Sequence, residues 1–99
     1  MEKHEKELLY KQALDKWGLY SQFDQLLEEM GELIVAINKV KRLNMDISKD
    51  KEQIIMDNFF EEIADVKMCL EQMQMIYGEE KIEQVLHTKL LKLKSQIEK

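Results

Sequence analysis

The chain has 99 residues, 44% of them hydrophobic and 35% charged, with 20 acidic side chains against 15 basic ones and a formal net charge of −5. That balance speaks against non-specific binding of nucleic acid, which needs a basic surface to displace counterions, and against an anionic membrane surface. One cysteine, Cys69, leaves no intrachain disulfide and points to a reducing compartment; no apolar run approaches the ~18 residues of a membrane span, and the opening MEKHEKELLYK lacks the apolar stretch of a signal peptide, so the expected location is the cytoplasm.

Proline is absent, and glycine occurs only at Gly18, Gly31 and Gly78. Leu, Met, Ile, Glu, Lys and Gln, all good helix formers, dominate the rest. The expectation is an all-α chain with one domain over residues 1–99, built as a bundle of about four helices. A core of this length is marginal alone, so dimerisation is expected to complete the bundle. The first predicted helix runs from about Glu5 to Trp17 and stops at Gly18. The second starts near Ser21, read as an N-cap with Asp24 three residues on, and continues to about Arg42. Its apolar residues recur at helical spacing, in a stripe centred on Leu26, Met30 and Ile37.

Leu43 to Ser48 reads as a connection, with Asn44, Asp46 and Ser48 as turn or cap residues. The third helix begins as early as Lys49 and is strongest from Phe59 to Tyr77, where Phe59, Ile63, Val66, Leu70, Met73 and Tyr77 form a stripe. Gly78 ends it. The fourth helix, about Glu79 to Ile97, carries Ile82, Val85, Leu86, Leu90, Leu93 and Ile97.

Two acidic groups stand out: Glu28, Glu29 and Glu32 on the second helix, and Glu61, Glu62 and Asp65 on the third. Residues three apart are neighbours on one helix face, so Glu29–Glu32 and Glu62–Asp65 repel unless a cation sits between them. At ~100° per residue, Glu29 lies roughly 90° from the centre of its apolar stripe and Glu62 roughly 70° from its own, to the same side. Packed core to core and antiparallel, the two helices bring both pairs to the edge of one groove. The ordinary reading of any one such pair is a solvated surface patch; two at matched offsets favour a hard cation, with all-oxygen ligands suiting Mg²⁺ or Mn²⁺ better than zinc. No Glu-x-x-His motif includes His4 or His87, which disfavours a di-iron bundle. The alternating Asp/Asn calcium loop is also absent.

These residues carry a resemblance. The runs LLEEMGELIVAINK and NFFEEIADVKMCLEQM, with Glu28-Glu29-Met30-Gly31-Glu32 on one helix and Glu62-Ile63-Ala64-Asp65 on the next, resemble the MazG-like family of all-α nucleoside triphosphate pyrophosphohydrolases. The resemblance extends from about Leu14 to Ile97. It implies a homodimer or tetramer with acidic grooves, in which Glu29, Glu32, Glu62 and Asp65 hold magnesium. It also implies that Glu28 orients or deprotonates the attacking water, or serves a second metal. A nucleoside triphosphate then yields the monophosphate and pyrophosphate. Trp17 and Gln22 are candidates for contact with the nucleotide, and Lys89 and Lys92 for its phosphates; a core or interface aromatic, a first-turn polar residue and two solvated lysines are the plain alternatives. Two competing functions remain: a non-catalytic helical interaction protein of the same fold, and a phosphoribosyl-ATP pyrophosphohydrolase, which resembles the same superfamily.

Overall fold

A computed structural model describes residues 1–43 and 48–99; Asn44 and Asp46, read above as turn residues, lie outside them. The described residues form four helices and no strand: α1 (Lys3–Trp17), α2 (Leu19–Lys41), α3 (Lys49–Tyr77) and α4 (Glu79–Ile97). The all-α expectation is met.

Single glycines make two of the breaks. Gly18 adopts φ 86°, donates to the Leu14 carbonyl at 2.8 Å and accepts from the Gln22 amide at 3.2 Å. One residue therefore closes α1 and opens α2, a conformation that side-chain-bearing residues rarely adopt. This corrects the reading of Ser21 as an N-cap. With the break made at Gly18, α2 begins at Leu19 and Ser21 lies inside its first turn. Ser48 does act as a cap, its Oγ accepting from the Lys51 amide at 3.4 Å. Asp50 and Glu52 follow in the first turn, where acidic groups suit the positive end of a helix.

Helices α2 and α3 pair antiparallel. The Phe23 and Tyr77 rings stack with centroids 6.2 Å apart near one end, and Glu29 and Glu32 meet Glu62 further along. The seam follows alternating steps of four and three, the spacing that keeps one side of a helix on its neighbour. On α2 it comprises Gln22, Leu26, Glu29, Leu33, Ala36 and Val40; on α3 it comprises Asn58, Glu62, Asp65, Cys69, Gln72 and Ile76. Every one of these is buried or half-buried. The small side chains of Ala36 and Cys69 are 1% and 4% exposed, so neither holds the backbones apart.

This register corrects the expected packing. Glu29, Glu62 and Asp65 lie in the seam itself, with exposed Glu32 at its edge, and much of each apolar stripe points outward. Leu27 and Ile34 are 66% and 60% exposed, and Met30, Ile37, Ile63, Leu70 and Tyr77 are exposed as well. So are Ile82, Val85, Leu86, Leu90, Leu93 and Ile97 along α4. The accessible surface is 8172 Å², against roughly 6,000 Å² for a monomeric protein of 11.9 kDa. The radius of gyration is 17.1 Å, where about 13 Å is usual at this length.

Helix α1 has no buried residue and is held mainly by polar contacts. The Tyr10 hydroxyl donates to Glu71 Oε1 at 2.8 Å, Lys6 Nζ approaches the same oxygen at 3.5 Å, and Gln72 Nε2 donates to the Tyr10 carbonyl at 3.3 Å. Lys3 pairs with Glu79 at 2.6 Å, tying the start of α1 to the start of α4. Among the described residues no helix is long and apolar enough to cross a membrane.

Candidate functional site

Seam position, not surface position, sets the character of the acidic residues. Glu29 is 9% exposed although it carries a carboxylate, and Glu62 and Asp65 face it half-buried from α3. One carboxylate oxygen from each of Glu29, Glu32 and Glu62 lies within 4.8 Å of the other two. Asp65, one turn along α3 from Glu62, lies near enough for its charge to raise the Glu29 carboxyl. Three of the four residues singled out in the sequence therefore bring oxygens together within one chain, with the fourth beside them.

Their charges are not neutralised by protein. Among the described residues no lysine, arginine or histidine pairs with any of the four. Glu29 Oε1 accepts a hydrogen bond from Gln25 Nε2 at 2.7 Å, one turn earlier on α2. Glu29 Oε2 and Glu62 Oε2 are both buried and have no partner. Burial, followed by the charges of Glu32, Asp65 and Glu62, pushes the Glu29 carboxyl up to about 7. Burial, with Glu32 and Asp65, raises Glu62 in the same direction. Cys69, one turn beyond Asp65, has its thiol pushed up by burial and by the charges of Glu29 and Asp65. Buried carboxylates without a partner are costly, because neither water nor protein replaces their lost hydration.

The remaining candidates are distributed differently. Glu28 and Glu61 are exposed; Glu28 lies ~100° around α2 from Glu29 and is not among the converging oxygens. Trp17 and Gln22 line a cavity of about 520 Å³ framed by α1, α2 and α3. Gln25 and Cys69 line it too, so it shares a wall with the carboxylate cluster. Lys89 and Lys92 stand exposed on α4, which contacts the α2–α3 pair only through α3, so the chain does not bring them to its own carboxylates. A second group, Glu2, His4 and Glu5, is fully exposed near the start of the chain and contains no buried, unpartnered oxygen.

Sequence reasoning missed Gln25 and Gln72. Both carried a signal: Gln25 precedes Glu29 by four residues, the spacing of a side-chain hydrogen bond along a helix. Gln72 follows Asp65 by seven, on the same seam. No family model, curated protein or solved structure matches this chain.

Proposed function

We propose that the chain is a magnesium-dependent pyrophosphohydrolase that converts a ribo- or deoxyribonucleoside triphosphate to the monophosphate and pyrophosphate. The observation that carries this reading is the pair of buried, unpartnered oxygens, Glu29 Oε2 and Glu62 Oε2, in the middle of a helix seam. Apolar side chains would fill that seam more stably. The three carboxylates gathered there and Glu32 at the seam's edge fit a hard divalent cation, and a purely oxygen donor set suits magnesium, with manganese as the substitute. Glu29, Glu32, Glu62 and Asp65 would hold it. When bound, the ion would bring the triphosphate into an acidic groove, lower the pKa of water and stabilise charge on the leaving pyrophosphate.

The chain's own residues supply the positioning. Gln25 donates to one oxygen of Glu29 and so fixes the carboxylate plane, leaving the other oxygen for a ligand. Glu62 and Asp65 face it from a separate helix, so the donor set depends on the α2–α3 register. Glu28, turned to solvent, remains the candidate for orienting water arriving along the outer side of α2. The resemblance to the MazG-like family rests on the same acidic residues and supports the same chemistry.

A second copy belongs to this reading. The surface in excess of a compact monomer, roughly 2,000 Å² per chain, matches what obligate homodimers bury. A homodimer, or a tetramer built from two, would cover the outward stripes of α2, α3 and α4. It would also supply the missing cations: Lys89 and Lys92 of a neighbouring copy are the proposed partners of the phosphate oxygens. The exposed apolar faces alone would equally suit a non-catalytic interaction protein, but that alternative gives no reason for three carboxylates in the seam with a fourth beside them.

Product analysis tests the proposal. The purified protein is incubated with each ribo- and deoxyribonucleoside triphosphate and with phosphoribosyl-ATP, first with magnesium and then with chelator. Monophosphate and pyrophosphate that vanish with chelator are expected. Glu62→Gln and Asp65→Asn should each lower turnover by at least ~100-fold with helicity intact, since even groups that merely support a metal ligand are worth 10–100-fold. No turnover of any substrate by the folded protein refutes the reaction; full turnover in both variants refutes the site.

A further inference from the structure

The cavity beside the carboxylates has two kinds of wall. Leu9, Ala13 and Met68 make it apolar, and three carboxamides, Gln22, Gln25 and Gln72, interrupt that surface. Gln22 and Gln72 are more than nine-tenths buried. Polar groups are not buried in an apolar wall without a partner to meet. Yet the Gln22 carboxamide makes no hydrogen bond among the described residues and is not sealed from the cavity.

The other two carboxamides are engaged. Gln25 Nε2 donates to a carboxylate oxygen of Glu29, and Gln72 Nε2 donates to the backbone carbonyl of Tyr10. The Tyr10 carbonyl can only accept, so turning the Gln72 amide over would set oxygen against oxygen. Gln72 is thus held with its nitrogen on the protein and its carbonyl oxygen without a protein partner among the described residues. A ligand that satisfies it must be flat enough to sit against the apolar wall and must bring an N–H donor on its edge.

We infer that this cavity takes the base of the nucleotide and that Gln72, fixed as an acceptor, selects a base bearing an exocyclic amino group. The inference rests on the carboxylate cluster being the phosphate-handling site, with which the cavity shares Gln25. Replacing the amino group by a carbonyl sets a second oxygen against the Gln72 acceptor. Leaving that buried acceptor unmet weakens binding by roughly 5- to 100-fold.

The chain contains one tryptophan, Trp17, and it lies at this cavity, 59% exposed. Tryptophan fluorescence therefore comes from a residue at this site. The whole protein, in chelator, is titrated with phosphate-free nucleosides in two matched pairs: cytidine against uridine, and adenosine against inosine. Calorimetry serves as the second readout. Saturable binding is expected, with the amino-bearing member of whichever pair fits the cavity several-fold tighter. In Gln72→Met, or in Gln72→Leu if the first variant loses helicity, the ratio within that pair should fall towards one. Equal binding within both pairs, or no binding of any nucleoside by either readout, overturns the inference. Magnesium-dependent hydrolysis, assayed on the same sample, keeps the two claims apart. Hydrolysis without an amino preference removes the pocket assignment and leaves the reaction. Amino-selective nucleoside binding without hydrolysis removes the reaction and leaves the pocket.

Discussion

Replacing Glu29 by glutamine should make the metal-free protein more stable. The Glu29 carboxyl titrates at about 7 in the folded chain, against an ordinary 4.5. The folded state therefore holds a proton that the unfolded state has released, and stability falls as pH rises from about 4.5 through 7. A displacement of this size corresponds to about 3 kcal/mol at full strength, and screening by solvent that reaches the cluster reduces the expected effect to about 1–2 kcal/mol. Glutamine has the shape of the protonated acid. Its carbonyl can keep the bond from Gln25, and it carries no charge for Glu32, Asp65 and Glu62 to repel. Urea unfolding in chelator should show the wild type losing stability between pH 5 and pH 8. The variant should be the more stable of the two at pH 8 and nearly equal at pH 5. Glu62, also raised, keeps some slope of the same sign in the variant. Magnesium should reverse the order at pH 8, because an ion that binds only the folded state stabilises it by mass action and needs ionised carboxylates. A variant less stable than wild type at pH 8 in chelator would refute the reasoning.

Three further outcomes follow from contacts elsewhere in the chain. Tyr10→Phe removes the donor to Glu71 and should cost about 1–2 kcal/mol in urea unfolding. The Glu71 carboxyl is held below its usual range by that bond and by Lys6, so the deficit should be present above the ordinary carboxylate range and shrink as pH falls through the folded value. Ile34→Lys places a charge on an outward stripe and should shift sedimentation from a multiple of the chain mass towards the single chain; a wild type that already sediments as one chain would refute the second-copy reading. Gly18→Ala meets no neighbouring atom within 4 Å, so its whole effect should be backbone strain at φ 86° and ψ 163°, about 1–3 kcal/mol, seen as a lower unfolding midpoint and frayed α1 signals.

How much of this was legible beforehand differs from residue to residue. The four helices were readable because Gly18 and Gly78 fall at helix ends; the starts of α1 and α2 moved by two residues each and the end of α2 by one. The carboxylates were readable because their spacing places them on one face whatever the packing. The packing itself was not. Hydrophobicity ranks Leu27, Met30 and Ile34 above Gln22, Glu29 and Ala36, so the larger apolar face was taken for the one that meets α3. In the folded chain the less apolar face does so. Apolar pattern shows that a face needs covering and is silent on whether the same chain covers it. The Gln25–Glu29 and Gln72–Tyr10 bonds escaped for a related reason: glutamine is ordinary on helix surfaces, and only its place in the seam gives it meaning.

The register of the α2–α3 seam also sorts residues by arithmetic. Positions 22, 29 and 36 share one remainder on division by seven, as do 26, 33 and 40, and together they make the inner line of α2. Positions 27 and 34, and 30 and 37, fall in other classes and point outward, as do 63 and 70 on α3. A library confined to those six outward positions would alter how copies recognise one another while leaving every acidic ligand candidate untouched. Specificity of assembly and the chemistry of the groove are thus separately tunable within two helices.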